Sequence, residues 1–143
     1  MNPAIQSMSH FSAIKTQIKS ADALLQALAD LGFRTVEHHT TAQPLYGYQG
    51  DRRSQTAEVI VRRKHLGHLS NDLGFKRQAD GTYQAIISDY DRGHDYGQDW
   101  LNQLTQRYGY HHLKAIAPAQ GFAIEEEETL ADGTIRLVVG RWQ

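Results

Sequence analysis

The pattern strand, helix, strand, strand runs through this chain twice, and no other feature of the sequence constrains its fold as strongly. In each half, a helical pattern and then a Gly-Phe dipeptide follow the first strand. Two pairs of segments align between the halves: residues 11–16 (FSAIKT) with residues 83–88 (YQAIIS), and residues 57–63 (AEVIVRR) with residues 135–141 (IRLVVGR). We therefore expect an internal duplication of two βαββ-like halves, at about residues 8–65 and 80–143.

Apolar residues at three- and four-residue steps predict two amphipathic helices. The first follows Ser20, a favourable N-cap residue, and ends at Gly32. The second begins at Trp100 and is stopped by Pro118 and Gly121. The apolar face of the first helix is formed by Leu24, Leu25, Leu28 and Leu31.

Strands are predicted where apolar and β-branched residues dominate. These segments are residues 11–18, 33–39, 56–63, 73–78, 82–88, 122–130 and 134–142. Ala-Asp-Gly turns at residues 79–81 and 131–133 predict two hairpins. Residues 40–54, which contain Pro44, are expected to break any long element, apart from a short edge strand at residues 45–48.

A single βαββ unit leaves an apolar sheet face that its one helix cannot cover, so two copies pairing strand to strand would share a sheet. The predicted fold class is α+β: a mostly antiparallel curved sheet with two helices packed on one face. A chain of 143 residues has the size of one domain. We expect that domain over residues 8–143 after a flexible extension of residues 1–7, with the uncovered sheet face as the place for a partner.

The composition excludes several kinds of site. The chain has no cysteine, which excludes disulfides, thiolate metal sites and cysteine nucleophiles. It has no Gly-rich phosphate-binding loop and no Gly-x-Ser-x-Gly nucleophile elbow. No segment is apolar over the roughly twenty residues that a membrane span needs. A net charge of −1 argues against nucleic-acid binding through bulk charge. We expect a soluble, non-exported protein with no cofactor.

The eight histidines do not form a metal-binding motif. His38 and His39 would point to opposite faces of a strand, whereas His65 and His68 lie in a glycine-containing connection outside any HExxH context. The glutamate run near the C-terminus fits an exposed edge strand. The spaced aspartates of the second half lack the pattern of an EF-hand loop. No metal site is predicted.

Residues 51–77 form a locally basic segment, because seven Lys and Arg against three Asp and Glu leave an excess of four positive charges. If Arg62 projects beside Tyr46 or Tyr48, the combination suits RNA, a phosphate group or an acidic protein surface. Nucleic-acid or phosphate-ligand binding through residues 52–77 is therefore one alternative function.

Four sequence segments resemble a known family: MSHFSAIKTQI at residues 8–18, GYQG at residues 47–50, TQRYGYH at residues 105–111 and GTIRLVVGRW at residues 133–142. From residue 8 onward the chain resembles the uncharacterised chloroplast reading frame thirty-five family, a domain of unknown function of cyanobacteria and algal plastid genomes. Residues 62–68 and 91–94 depart from the family pattern. The resemblance implies a location in the cyanobacterial cytoplasm or the plastid stroma, and it supplies no catalytic residue to transfer.

Because motifs for catalysis, metals and phosphates are missing, the first expectation is a non-catalytic protein-binding or assembly and regulatory factor. We predict that its protein partner, or a second copy of the chain in a homo-oligomer, contacts a surface on which five residues converge: Tyr48, Arg62, Arg107, Tyr108 and Arg141. The basic segment remains the first alternative. The second is a small enzyme or cofactor carrier that uses His111 or His112 beside Tyr108 and Arg107.

Overall fold

The structure, a computed structural model, describes residues 10–132 and 134–141, and the predicted extension of residues 1–7 lies outside them. The strands are β1 (Phe11–Lys15), β2 (Glu37–Tyr46), β3 (Arg52–Val61), β4 (Leu73–Arg77), β5 (Tyr83–Ser88), β6 (Phe122–Thr129) and β7 (Ile135–Arg141). The α-helices are α1 (Ala21–Asp30), α2 (Asp89–Arg92) and α3 (Gln98–Ile116), and short 3-10 turns lie at Arg63–His65 and Pro118–Gln120.

The chain divides into two compact units. We call the first the sheet unit; it comprises the chain up to Lys19 and Phe33–Gln98. The second, which we call the helical unit, comprises Ser20–Gly32 and the chain from Asp99 onward. The boundaries of these units differ from those of the predicted duplication, which stays a prediction.

The sheet unit contains a five-stranded antiparallel sheet in the order β1-β5-β4-β3-β2. The predicted hairpin between β4 and β5 is confirmed, and its turn places Gly81 at a φ of 87°, in the left-handed region that glycine tolerates. Strand β1 pairs with β5, with Phe11 opposite Ser88. The two segments that begin the similar halves of the sequence are therefore direct neighbours in the sheet.

Strand β2 is longer than predicted, because it continues through Pro44 as far as Tyr46. The expected break over residues 40–54 is therefore wrong for the first part of that segment. Proline is tolerated here because β2 is an edge strand and its register with β3 shifts on both sides of residues 43–44. The long β2–β3 hairpin is the result.

The central strands of the sheet are buried on both faces. Side chains on one face have at most 1% exposure: Val59, Val61, Leu73, Phe75, Ala85 and Ile87. On the other face, Phe11 from one edge strand and Leu45 from the opposite edge strand join Ala57, Ile60 and Ile86 in one buried cluster. The expectation that one face is left bare for a partner is wrong over these strands, because the sheet curls until its own two edges cover that face.

The helical unit begins with α1, whose N-cap Ser20 accepts a hydrogen bond from the Ala23 amide (3.2 Å), as the sequence predicts. The predicted second helix is confirmed as α3, and Gly121, which follows the Pro118–Gln120 turn, has a φ of 81°. Strands β6 and β7 form a separate two-stranded sheet. The predicted sharing of one sheet is therefore wrong for this hairpin, whose glutamates favour a solvated strand. The α+β class with mostly antiparallel sheets is confirmed.

Gly74 in β4 allows the curled sheet to close. A Cβ atom at this position would lie 2.6 Å from the Ala57 Cβ and 3.1 Å from a Leu45 methyl group. We expect Gly74→Ala to lower the free energy of unfolding by about 1–3 kcal/mol through overpacking, as measured by urea denaturation.

Gly109 in α3 is the matched control, because nothing lies within 4 Å of a Cβ built there. Gly109→Ala should raise the free energy of unfolding by up to about 1 kcal/mol through helix propensity. Equal effects of the two substitutions would show that β4 is not packed as tightly as the structure indicates.

Candidate functional site

The five residues predicted to form one surface are divided between the two units. Tyr48 and Arg62 belong to the sheet unit, whereas Arg107, Tyr108 and Arg141 belong to the helical unit. Each group has its own surroundings, which we describe in turn.

Arg62 follows the end of β3 and is held by two carboxylates. Its guanidinium donates to both oxygens of Glu37, at 2.6 and 2.8 Å, and to Oδ2 of Asp72 at 2.8 Å. It also donates to the Pro44 carbonyl (3.1 Å) and lies 5.6 Å from the centre of the Tyr46 ring. Two negative charges therefore balance this guanidinium within the fold.

The paired charges change the titration of Glu37. Hydrogen bonds from Arg62, against the opposing effect of burial, lower the pKa of this carboxyl to about 2. The hydrogen bond to Glu37 and the neighbouring Asp72 likewise raise the pKa of Arg62. Asp72, whose side chain is only 1% exposed, depends on Arg62 for its neutralisation.

Tyr48 lies in the turn between β2 and β3, where it is half-buried. Its backbone N–H donates to Oδ1 of the buried Asn71 (2.8 Å). Internal hydrogen bonds also hold other members of the basic segment: Arg63 donates to the carbonyls of Ser70 and His68, and Lys76 donates to the Thr56 hydroxyl.

We expect Arg62→Ala to lower the free energy of unfolding by about 3–5 kcal/mol, because it leaves the buried Asp72 without its cation. Arg52, an exposed residue at the start of β3, is the control, and Arg52→Ala should change stability by less than about 0.5 kcal/mol. Chemical denaturation at neutral pH measures both. Similar small effects would mean that Arg62 has no structural role and is available to a ligand.

In the helical unit, Asp30 at the end of α1 accepts hydrogen bonds from two residues of α3. Arg107 Nε lies 2.7 Å and His111 Nε2 2.6 Å from the same oxygen, Oδ2. Burial alone would raise the pKa of Asp30, but these hydrogen bonds outweigh it and the pKa is lowered. This cluster fastens the end of α1 to the middle of α3.

Tyr108 is buried, with 6% exposure. Its hydroxyl accepts a hydrogen bond from the Ser20 amide (3.0 Å), and its ring stacks on His112 at 5.4 Å. The adjacent histidines thus have different partners: His111 contacts Asp30 and His112 contacts Tyr108.

The carboxylate of Asp30 should stabilise the folded chain at neutral pH. Because its pKa is lower in the folded than in the unfolded chain, the contribution is lost as pH falls through the lowered value, below the ordinary 3.8. Asp30→Asn should therefore cost about 0.5–1 kcal/mol at neutral pH and progressively less under acidic conditions.

Urea denaturation across a pH series measures this difference. The control is Asp51→Asn, which breaks the pair between Asp51 and Arg53, with a longer separation of 3.2 Å. A constant cost of Asp30→Asn at every pH would show that the two hydrogen bonds do not depend on the charge of the carboxylate.

Tyr110 is at the centre of a groove between α3 and the β6–β7 hairpin, which we call the α3–hairpin groove. One cavity of about 160 Å³ is lined by Arg107, Tyr110, Glu127, Glu128, Thr129 and Ile135. A second, of about 340 Å³, is lined by Gln106, Gly109, Tyr110, Leu113, Thr134, Ile135 and Leu137. Both cavities are lined by Tyr110 and Ile135, and the name α3–hairpin groove refers to the two together.

The wall of this groove combines charge and apolar surface. The Tyr110 hydroxyl donates to Glu127 (3.1 Å) and accepts from Lys114 (3.0 Å). The guanidinium of Arg107 lies 5.1 Å from the centre of the Tyr110 ring. An aromatic side chain with a polar tip between a cation and a carboxylate is typical of interface surfaces.

Several apolar side chains of the β6–β7 hairpin are incompletely buried, inside the groove and beyond it. Along β7, Ile135, Leu137 and Val138 are half-buried, and Val139 is 39% exposed. On β6, Phe122 is half-buried beneath the guanidinium of Arg141, 5.7 Å from its ring centre. Sequence reasoning identified Arg107 in the groove but missed Gly109, although a glycine in the middle of a long helix is a recognisable signal. Arg141, also predicted, lies outside the residues that line the two cavities.

These features define the chain as an α+β protein with an antiparallel five-stranded sheet and a groove bounded by a helix and a hairpin. It belongs to the family described as "Protein of unknown function (DUF1257)", whose model matches residues 27–138. The resemblance found in the sequence motifs is confirmed, because the relatives of this chain are ycf35 proteins.

Three relatives, each named "Uncharacterized protein ycf35", match nearly the whole chain. The protein from Cyanophora paradoxa is 30% identical over 139 residues, covering 95% of this chain and 99% of the relative. The Guillardia theta protein is 30% identical with the same coverage, and the Pyropia yezoensis protein is 27% identical over 94% of this chain and 98% of the relative. No solved structure matches this chain.

Residues 10–132 and 134–141 hold neither a metal-binding cluster nor a helix that could cross a membrane. These residues contain no group of three or more His, Asp or Glu side chains arranged to hold a metal ion. Within the same ranges, no helix has the length and apolar character that crossing a membrane requires.

Proposed function

We propose that this protein is a non-catalytic binding factor and that a partner protein docks in the α3–hairpin groove. The incomplete burial of the hairpin's apolar side chains is the observation that carries the proposal. An isolated two-stranded hairpin is only marginally stable in water. A partner that covers its half-exposed apolar residues removes apolar surface from water and so stabilises the hairpin and the complex.

The groove favours a partner with apolar side chains flanked by positive charge. Gly109, Leu113 and Leu137 give the larger cavity an apolar floor that accepts a side chain. Glu127 and Glu128 border the smaller cavity and would attract a Lys or Arg beside that side chain. Arg107 then lies at the border of the contact, and Tyr108 supports it from the buried side of α3. Arg141, over Phe122 at the other end of the hairpin, would contact a partner that extends along β7.

The remaining site predictions belong to the sheet unit. Tyr48 and Arg62 are proposed as contacts of a second surface, where the main role of Arg62 is to hold the Tyr46 ring in place.

The nucleic-acid alternative is less well supported, because Arg62 and Arg63 are already hydrogen-bonded within the fold. Its support comes from the exposed Arg52, Lys64 and Arg77.

The enzyme alternative depends on His111. It is less well supported than the binding factor, because Nε2 of His111 already forms a hydrogen bond with Asp30.

We place the binding factor in the cytoplasm of a cyanobacterium or the stroma of a plastid, in line with the family to which the chain belongs.

Gly109→Trp tests the proposal, because it fills the groove at a position with open space while removing a helix-destabilising glycine. Gln103→Trp, at an exposed position of the same helix, is the matched control. A partner is first identified by photo-crosslinking from Gln106, and its affinity for each variant is then measured with purified proteins.

We expect Gly109→Trp to weaken binding at least about tenfold and Gln103→Trp to leave it unchanged. Equal affinity of both variants would overturn the docking site. Self-association of the purified chain that Gly109→Trp abolishes, as seen by sedimentation, would identify a second copy as the occupant and overturn the proposal of a different partner protein.

A further inference from the structure

The two strands of the β6–β7 hairpin differ in how well their outer edges are protected against pairing with a further strand. In β6 the register shifts between Ile124 and Glu126, which places a bulge in that strand, and Glu125 and Glu127 are exposed. Bulges and exposed charges are the devices that keep a strand edge from pairing with another chain. In β7, by contrast, every residue of Ile135–Arg141 has a partner in β6, so the strand is regular throughout.

The arginines of β7 do not protect its edge. Nη1 of Arg136 lies 3.5 Å from Oε2 of Glu128, and the guanidinium of Arg141 lies over the ring of Phe122. Both side chains are therefore directed toward residues of β6. Among residues 10–132 and 134–141, β6 is the only strand that pairs with β7. We call the other edge of β7 its open edge.

The main-chain groups at the open edge follow from the hairpin turn. The Leu130 N–H donates to the Thr134 carbonyl (2.7 Å). Hydrogen-bonded pairs alternate with non-bonded pairs along an antiparallel ladder, so every second residue of β7, starting with Arg136, directs its N–H and C=O groups toward β6. The N–H and C=O groups of Leu137 and Val139 therefore point toward the open edge, where they can pair with an added strand.

A carboxylate extends to this edge on one face of the hairpin. A Cβ atom built on Gly140 would overlap the side chain of Glu125, so this carboxylate lies across β7 at the position where β7 has no side chain. In an added strand, the residue directly opposite Gly140 projects from the same face, and a Lys or Arg there would meet Glu125. The residues opposite Leu137 and Val139 would project from the other face, beside these two apolar side chains.

We propose that the partner protein adds an extended segment to β7 as an antiparallel third strand, with alternate apolar residues on one face and a Lys or Arg opposite Gly140 on the other. The inference rests on the proposed function, because the apolar residues beside Leu137 are those that enter the α3–hairpin groove. A third strand stabilises a two-stranded sheet. In this mode of binding, main-chain hydrogen bonds supply affinity and alternate side chains supply specificity.

A second copy of this chain fits the open edge less well than a different partner. Antiparallel pairing of two β7 strands over their full length places Arg136 of one copy opposite Gly140 of the other. That arginine is already paired with Glu128 of its own chain. A Lys or Arg from another protein meets Glu125 without breaking an ion pair.

Synthetic peptides test strand addition on the full-length chain. The probe is the capped heptapeptide VKVTVTV, whose lysine lies opposite Gly140 when the peptide pairs antiparallel with Ile135–Arg141. Its binding should slow hydrogen exchange of the Leu137 and Val139 amides, and N-methylation of its third and fifth residues, which pair with these two, should abolish binding. Failure of the unmodified peptide to bind, or binding without this protection, would overturn the proposal.

A double-mutant cycle tests the basic residue. Replacing the lysine of the peptide by norleucine should weaken binding to the wild-type chain about threefold, as for an exposed ion pair, and should leave binding to Glu125→Gln unchanged. The control is Glu58→Gln in the sheet unit, where glutamine keeps the acceptor for the Arg77 amide and norleucine should again cost about threefold. Equal losses on all three chains would overturn the contact with Glu125.

The partner found by crosslinking separates strand addition from docking in the groove. Val139→Pro removes one N–H of the open edge, a change that an edge strand tolerates, whereas the control Val139→Ala keeps it. We expect Val139→Pro to bind the partner about fivefold more weakly than Val139→Ala, through the lost hydrogen bond. Equal affinities of these two variants, with Gly109→Trp still weakened, would overturn strand addition and leave the groove as the docking site.

Unchanged affinity of Gly109→Trp would overturn the proposed function itself. Hydrogen exchange of the chain alone tests for a second copy. Protection of the Leu137 and Val139 amides that increases with protein concentration would identify a second β7 as the added strand and overturn the proposal of a different partner.

Discussion

The sheet unit depends on one buried carboxylate. Asp72 accepts from the Tyr46 amide at the end of β2, from the Arg63 amide after β3 and from the guanidinium of Arg62. Its own backbone N–H donates to the Tyr46 carbonyl, just before β4 begins. The side chain and backbone of this one residue thus hold the ends of β2 and β3 next to the start of β4, and because its side chain is charged and buried, Arg62 must accompany it.

Asn71 extends this arrangement to the short helix α2. Its side chain accepts from the Tyr48 amide, and its backbone N–H donates to the Asp91 carboxylate. The backbone N–H of Asp91 in turn donates to the hydroxyl of Ser88, the N-cap of α2. Buried polar groups of this kind are stable only when each has a partner. The hydrogen bonds of residues 71–72 therefore position both the β2–β3 hairpin and the start of α2.

Much of the fold could be predicted because its elements have strong local signals. Ser20 and Pro118 mark helix ends, and an Ala-Asp-Gly turn marks the β4–β5 hairpin. The expectations that were wrong are those that depend on contacts between residues far apart in the sequence. Nothing local shows that Pro44 would occupy an edge strand, or that Phe11 and Leu45, from opposite edges, would meet over Ile86. Both features follow from the curvature of the whole sheet. The alternation of apolar and polar residues along a single strand does not reveal that curvature.

The charged candidate residues show the same limit, because the sequence does not reveal their distant partners. The sequence identifies Arg62 and Arg107 as cations but not the carboxylates that meet them, Glu37 and Asp30, which lie far away along the chain. Both arginines are paired with carboxylates and lie against a tyrosine ring, Tyr46 for Arg62 and Tyr110 for Arg107. They differ in place, because Arg107 lines the groove. An arginine is therefore a guide to function only when its surroundings in the fold are known. In this chain, the half-exposed apolar residues of the hairpin point to binding more directly than any count of charged residues.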